Sequence, residues 1–100
     1  MADRVRVLVY YRCDDEATIR AAYDVVSPRL SHVPGLLRNE LLASTHDPSG
    51  YIVLSEWSDL ETHRRWEQSQ EHREQTAPLQ PYLDDRLPMS FGIYEVKASY

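Results

Sequence analysis

Residues 55 to 74 read SEWSDLETHRRWEQSQEHRE, which sets two indoles and two imidazoles among a crowd of charges. An imidazole with its usual pKa of about 6.5 is largely neutral at pH 7 and can accept a proton there. An indole offers a flat apolar face and a single N–H donor. His72 beside Trp66 therefore points to proton removal from a flat, apolar ligand, with His63, one helical turn before Trp66, as a second candidate base. Each residue also has a plainer reading: Trp66 as helix-to-sheet packing, His72 as a solvated helix residue within EHRE. Arg86 can stabilise an oxyanion, or, preceded by Asp84 and Asp85, make only a surface ion pair. Tyr51, Tyr82 and Phe91 supply further faces for stacking on an aromatic ligand. Asn39 is a polar residue on an otherwise apolar strand face, there either to bind a ligand or to satisfy neighbouring backbone.

Other chemistries lack their signatures. The three glycines, Gly35, Gly50 and Gly92, are too far apart to form a phosphate-cradling loop or a dinucleotide fingerprint, and there is no G-x-S-x-G elbow. His32, His46, His63 and His72 form no i, i+4 pair and no short Cys/His spacing, so no metal and no cofactor is expected. The net charge of −5, with dispersed basic residues, argues against nucleic acid and against an anionic membrane surface. No apolar run approaches the roughly 20 residues that span a bilayer. The start MADRVRVLVYY lacks a signal-peptide pattern, and the lone Cys13 cannot form an internal disulfide, so a cytoplasmic location is expected.

The elements that must position these residues can be read from periodicity. RVRVLVYYR (4–12) is a strand with Val5, Val7, Val9 and Tyr11 on one face and Leu8 and Tyr10 on the other. DDEATIRAAYDVVSPRL is an amphipathic helix capped by Asp14 or Asp15, with Ile19, Ala22, Tyr23, Val26 and Leu30 inward, and Pro28 is expected to end or kink it. LLRNELLAS is a strand with Leu37, Asn39, Leu41 and Ala43 on one face and Leu36, Arg38, Glu40 and Leu42 on the other. THDPSG is a hairpin loop leading into the strand YIVLSEWS. A single weakly amphipathic helix is predicted from about Leu60 to Arg73, capped by Ser58 or Asp59, followed by the proline-rich APLQPYLDDRLP and a last strand, MSFGIYEV.

The order βαββαβ over 100 residues predicts one domain of the α+β class: a ferredoxin-like antiparallel sheet with both helices on one face. Leu8, Tyr10, Leu42, Ile52 and Leu54 would then line a bare apolar face, and pairing with a second copy, a homodimer, is the simplest way to cover it.

VPGLLRNELLAS, YIVLSEWSD, LETHRRWEQSQEHRE and FGIYEV together resemble the antibiotic biosynthesis monooxygenase domain over nearly the whole chain. The resemblance implies a dimeric α/β barrel with a pocket between sheet and helices. It also implies oxidation of an aromatic polyketide, an anthrone- or quinol-type intermediate, by O2 without flavin, haem or metal. The family's polyketide-oxidising members carry a pocket-facing Asn, a Trp, a Tyr six positions on and an Arg near the last strand. The corresponding positions here are Thr62, Trp66, His72 and Arg86, so two of the four match, an amide is lost and an imidazole replaces a phenol. In such a site the protein must deprotonate the substrate, because triplet O2 takes an electron readily only from a phenolate or enolate. His72 is the expected base, Arg86 the anion stabiliser and Trp66 the stacking surface. The alternatives are a non-catalytic ligand-binding or accessory dimer of the same fold, and a haem-degrading monooxygenase. The last is weakened because the first strand has no Asn and position 76 is Thr.

Overall fold

The computed structural model describes residues 2–100. Among the described residues, four strands pair antiparallel in the order β2-β3-β1-β4: β1 Val5–Arg12, β2 Leu36–Ala43, β3 Gly50–Trp57 and β4 Phe91–Glu95. Helix α1 (Glu16–Leu30) links β1 to β2, while α2 (Leu60–Glu67), α3 (Gln70–Thr76) and a 3₁₀ helix (Ala77–Tyr82) link β3 to β4. This is the ferredoxin-like α+β arrangement. Strand β1 is central, and its alternation buries Val5, Val7 and Tyr11 against the helices. From β3, Tyr51 and Trp57 face the same way, since they pair directly with Tyr11 and Val5. Ile19, Val26 and Leu30 of α1 and Leu79 of the 3₁₀ helix complete the core.

Three details differ from the periodicity reading. Pro28 does not end α1, which runs on past it to its last core residue, Leu30. The hydrogen bond that proline removes would have run to the carbonyl of Asp24, and both residues are on the solvent side, where water can replace it. The backbone N–H and Oγ of Ser31 then both donate to the Pro28 carbonyl and close the helix end. In β2 a bulge between Leu36 and Arg38 shifts the pleat. Leu36 joins the core with Asn39 and Leu41, and Leu37 turns outward at 53% exposure, contrary to strict alternation.

The third difference is in the helix expected to run unbroken from Leu60 to Arg73, which instead stops at Glu67 and restarts at Gln70. Ser69 makes the break: its backbone is extended, and its side chain accepts from the His72 N–H as a new N-cap. Asp59 caps α2 in the same manner, accepting from Thr62 N–H at 2.8 Å. Leu60, His63 and Trp66 share the inward face of α2, so its two sides are better segregated than the charge-rich sequence suggests. Gly35 fixes where α2 begins. It has φ +87°, and a Cβ there would stand 2.5 Å from Cβ of Thr62, so glycine satisfies both the turn and the close approach.

Among the described residues, no second layer covers the opposite sheet face. Leu8, Tyr10, Ile52 and Leu54 are half-buried there, Leu42 is exposed, and Arg4 and Arg6 enclose the buried carboxylate of Glu56 at 3.2 and 3.3 Å. No helix among the described residues is long and apolar enough to cross a membrane.

Candidate active site

Between the sheet and the helices lies a cavity of about 400 Å³. Val7, Val9 and Val53 form its sheet wall, Val26 and Leu30 contribute from α1, and Leu79 and Leu83 close one side. Its polar wall residues are Asn39, Ser55, His63, Glu67, His72, Thr76, Gln80 and Ser90, and Tyr11 adds a phenol. An apolar chamber whose polar lining includes titratable groups such as His63, Glu67 and His72 is how small-molecule sites are usually built.

The break at Ser69 brings Trp66 and His72 together. In one continuous helix, residues six and nine positions beyond Trp66 would sit about 240° and 180° around the axis from it, on the far side. Restarting the helix folds α3 back, so that the His72 ring meets Trp66 edge-on at 4.5 Å between centroids, 82° between planes. Gln75 likewise reaches Trp66 and accepts from its indole N–H at 2.7 Å. Ser69 Oγ also donates to the Trp66 carbonyl. The His72 backbone is anchored at both ends, its N–H on Ser69 Oγ and its carbonyl accepting from Thr76 Oγ1 at 2.8 Å. Among the described residues, no hydrogen bond engages its ring. Burial lowers the His72 pKa, and Arg73 adds to the shift while Glu67 opposes it. The ring is therefore neutral at pH 7 and holds a free lone pair.

His63 is 2% exposed, and burial lowers its pKa too, against the opposing charge of Glu67. Its Nε2 stands 3.8 Å from Glu67, while Nδ1 is buried and without a hydrogen-bond partner. Its ring packs edge-on against Trp57 at 5.1 Å. Trp57 packs at the strand end and also forms the cavity floor, tilted against Trp66 at 5.2 Å, with its own N–H donated to Ser55 Oγ. Asn39 faces the cavity, but its side-chain carbonyl is held by the Tyr23 hydroxyl and by Ser27 Oγ, leaving only its amide N–H groups to offer a ligand. Phe91 stands on the wall, partly exposed.

Four residues singled out from the sequence do not line this cavity. Thr62 is at the start of α2, where its hydroxyl donates to the Asp59 carbonyl, and it borders a separate outer groove. Tyr51 is buried in the core and lines a small hollow beside Glu16 and Asp24. Tyr82 packs on the core from the 3₁₀ helix. Arg86 is exposed, and its guanidinium is forked onto the buried Asp84 at 3.0 and 3.1 Å. That contact holds the Asp84 carboxyl below its usual range and raises the guanidinium pKa. Conversely, Glu67 and Gln75 escaped the sequence reading because they look like ordinary members of a charged helix. The break, signalled by Ser69 as a potential cap, brings Gln75 to Trp66, whereas Glu67, at the end of α2, stands beside His63. Among the described residues, no three His, Cys, Asp or Glu side chains converge as metal ligands.

Comparison with known proteins places this geometry in a family. A family model described as antibiotic biosynthesis monooxygenase matches residues 5–77. The chain is 32% identical over 92 residues to the protein SchA of Streptomyces halstedii, covering 90% of this chain and 24% of SchA. It is 33% identical over 72 residues to the polyketide synthase CurD of Streptomyces cyaneus, covering 72% of this chain and 19% of that protein. The chain thus spans about a quarter of the length of the curated relatives it matches, or less. Among solved structures, a variant of SnoaB, a cofactor-independent oxygenase from Streptomyces nogalater, superimposes with a TM-score of 0.80 at 16% identity, covering 98% of this chain and 97% of SnoaB. That likeness concerns the fold. The match of the family model over most of the chain shows that it belongs to the antibiotic biosynthesis monooxygenase family.

Proposed function

We propose that this chain is a cofactor-independent monooxygenase domain that oxidises an aromatic polyketide intermediate of the anthrone or quinol type with O2. The observation that carries the reading is a neutral, unpartnered imidazole, His72, held edge-on to Trp66 on the wall of an apolar cavity. The names of the relatives, a polyketide synthase and a cofactor-independent oxygenase, support the same class of substrate and oxidant.

The chemistry balances without a further reductant. His72 removes a proton from the acidic methylene of the anthrone, and the carbanion passes one electron to O2. The resulting radical pair combines to a peroxide on that carbon. The second hydrogen leaves the carbon as a proton taken up by the departing oxygen as the O–O bond breaks, which leaves a carbonyl on the ring and releases hydroxide, and the protonated His72 neutralises that hydroxide to water. One oxygen atom enters the product and the other leaves as water. The dry walls hold the planar substrate and exclude solvent from the carbanion.

The test is oxygen uptake by metal-free protein supplied with dithranol, a dihydroxyanthrone. Stoichiometric conversion to the anthraquinone above the uncatalysed blank supports the reading, and no uptake over the blank across a panel of anthrones and hydroquinones ends it. A second reading, a non-catalytic ligand-binding or accessory dimer of the same fold, is favoured by one observation. The Trp66 N–H and the Arg86 guanidinium are both already engaged within the chain. In either reading a second copy covers the open sheet face of Leu8, Tyr10, Leu42, Ile52 and Leu54, and the protein works in the cytoplasm. Sedimentation near twice 11.7 kDa checks the dimer, and a clean monomer at micromolar concentration refutes it.

A further inference from the structure

Trp66 stands between two hollows. On one side is the cavity of about 400 Å³, on the other an outer groove of about 340 Å³ lined by Arg29, Val33, Pro34, Thr62 and Gln75. The indole is the partition, and nothing covalent fixes its tilt. What the structure supplies is Gln75. Its Oε1 accepts from the Trp66 indole N–H at 2.7 Å, and its amide group donates to the backbone carbonyl of Arg29, near the end of α1, at 3.4 Å. The amide therefore ties the Trp66 ring on α2 to the neighbouring helix α1, from a position on α3. The Arg29 guanidinium strengthens the same seam by donating to the Glu74 carbonyl at 3.2 Å.

We infer that Gln75 is a positioning residue that latches Trp66 as the fixed wall of the substrate cavity, and that Trp66 acts on substrate through its ring face rather than its N–H. Two physical points support this. A half-buried indole N–H seldom lacks a partner, because a donor withdrawn from water and left unpaired is costly, and here the partner comes from within the protein. The ring is also gripped on other sides, tilted on Trp57 at 5.2 Å and edge-on to His72 at 4.5 Å, so a single latch suffices to fix its remaining rotation. With Trp66 fixed, the ring that orients the His72 imidazole is fixed as well. A ligand that took the indole N–H would have to displace Gln75, open the partition and disturb the imidazole.

The kinetic part of this inference rests on the oxygenase reading, but its spectroscopic part does not. In a proton–nitrogen correlation spectrum of the full chain, the two indole N–H signals belong to Trp57, bonded to Ser55, and Trp66, bonded to Gln75. Gln75→Leu should move the Trp66 signal and speed its exchange with solvent at least about tenfold, as expected for a lost hydrogen bond, while leaving that of Trp57 in place. Gln75→Glu keeps an acceptor for the indole and should restore the Trp66 signal. With dithranol, Gln75→Leu should raise KM more than it lowers kcat, and Gln75→Glu, which keeps the acceptor for the indole but can no longer donate to the Arg29 carbonyl, should recover only part of the loss. The stable product analogue 1,8-dihydroxyanthraquinone should bind Gln75→Leu several-fold more weakly than wild type, which reports on the wall even without turnover. An unchanged Trp66 signal in Gln75→Leu would overturn the latch. So would a Gln75→Leu enzyme with undiminished kcat/KM beside a Trp66→Phe enzyme that is inactive, since the indole N–H would then be serving substrate. If wild type consumes no oxygen but the Trp66 signal responds as stated, the oxygenase reading fails and the latch stands.

Discussion

The two helical coverings of the sheet are built on opposite principles. Helix α1 is 15 residues of hydrocarbon packing, with Ile19, Val26 and Leu30 sealed in the core. The α2–α3 side is two helices of eight and seven residues, in which His63 is the buried residue of α2 and α3 has none. A helix of two turns has little stability of its own and is held by its contacts and caps. The α1 side therefore sets the shape of the cavity, while the α2–α3 side carries the histidines to which the proposed chemistry is assigned. On that proposal stability and chemistry are divided between two faces of one chamber, and the division can be tested by mutation.

The largest effect is expected on the polar side. His72→Phe keeps an aromatic ring against Trp66 and removes the base, so kcat with dithranol should fall by roughly 10²- to 10⁴-fold, with little change in the denaturation midpoint. The defect should shrink as pH rises toward the substrate's own pKa, where solvent generates the anion unaided. If the loss is the same at every pH, His72 is not the base. The mirror experiment is Ile19→Ala. Ile19 is completely buried, and its truncation should cost about 2–5 kcal/mol in urea unfolding, with kcat of the remaining folded enzyme nearly unchanged. A large kcat defect in Ile19→Ala would blur the division.

How much of this was legible in the sequence follows the same division. Strand alternation, the inward set of α1 and the βαββαβ order are statements about hydrophobic period, and period survives folding because burial enforces it. The site depended on a turn chemistry that period does not report. A serine between two polar helical segments reads as one more surface residue, yet Ser69 as an N-cap redirects His72 and Gln75 by about half a turn toward Trp66. For the same reason a carry-over by position brought in Thr62 and Arg86, whose side chains turn to Asp59 and Asp84 instead. The bulge at Leu36 was invisible for a related cause, since both candidate faces of β2 offered a leucine.

Ser69→Ala tests the break directly. Losing an N-cap costs about 1 kcal/mol, a modest change in stability. The rate should suffer more than that figure implies, because α3 carries both His72 and Gln75. A drop in kcat of about tenfold with a small shift of midpoint would locate the effect in geometry. An intact rate would mean that α3 is held by its other contacts.

Acid should separate the two sides more gently. His63 and His72 both have pKa values lowered in the folded state, chiefly by burial. Between the folded and unfolded values the unfolded chain binds more protons, so stability rises with pH and is lost as pH falls below about 6.5. Equilibrium unfolding from pH 7.5 down to 5 should show this decline. His63→Phe combined with His72→Phe should flatten it, whereas Ile19→Ala should lower the whole curve without changing its slope.

The smallest effect on rate is expected at Arg86, which belongs to neither side. Its guanidinium is forked onto the buried carboxylate of Asp84 in the loop before β4, and it does not line the cavity. To stabilise an oxyanion in the chamber its guanidinium would have to leave a buried carboxylate that keeps only the Arg86 backbone N–H and the more distant charge of Arg12, so the ground state opposes the move. Arg86→Leu should then leave kcat for dithranol within about threefold of wild type, as for other ion-paired side chains remote from a reacting centre. The consequence should appear in stability instead. Without its partner the Asp84 carboxyl is no longer held below its usual range, so the Arg86→Leu chain should unfold at a lower denaturant midpoint than wild type at pH 7. The midpoint difference should narrow on acidification, as protonation removes the charge that needed pairing. A rate defect of 10²-fold or more at all pH values, with an unaltered midpoint, would return Arg86 to the reaction as an anion stabiliser. It would also mean that the chemistry is not confined to the α2–α3 side.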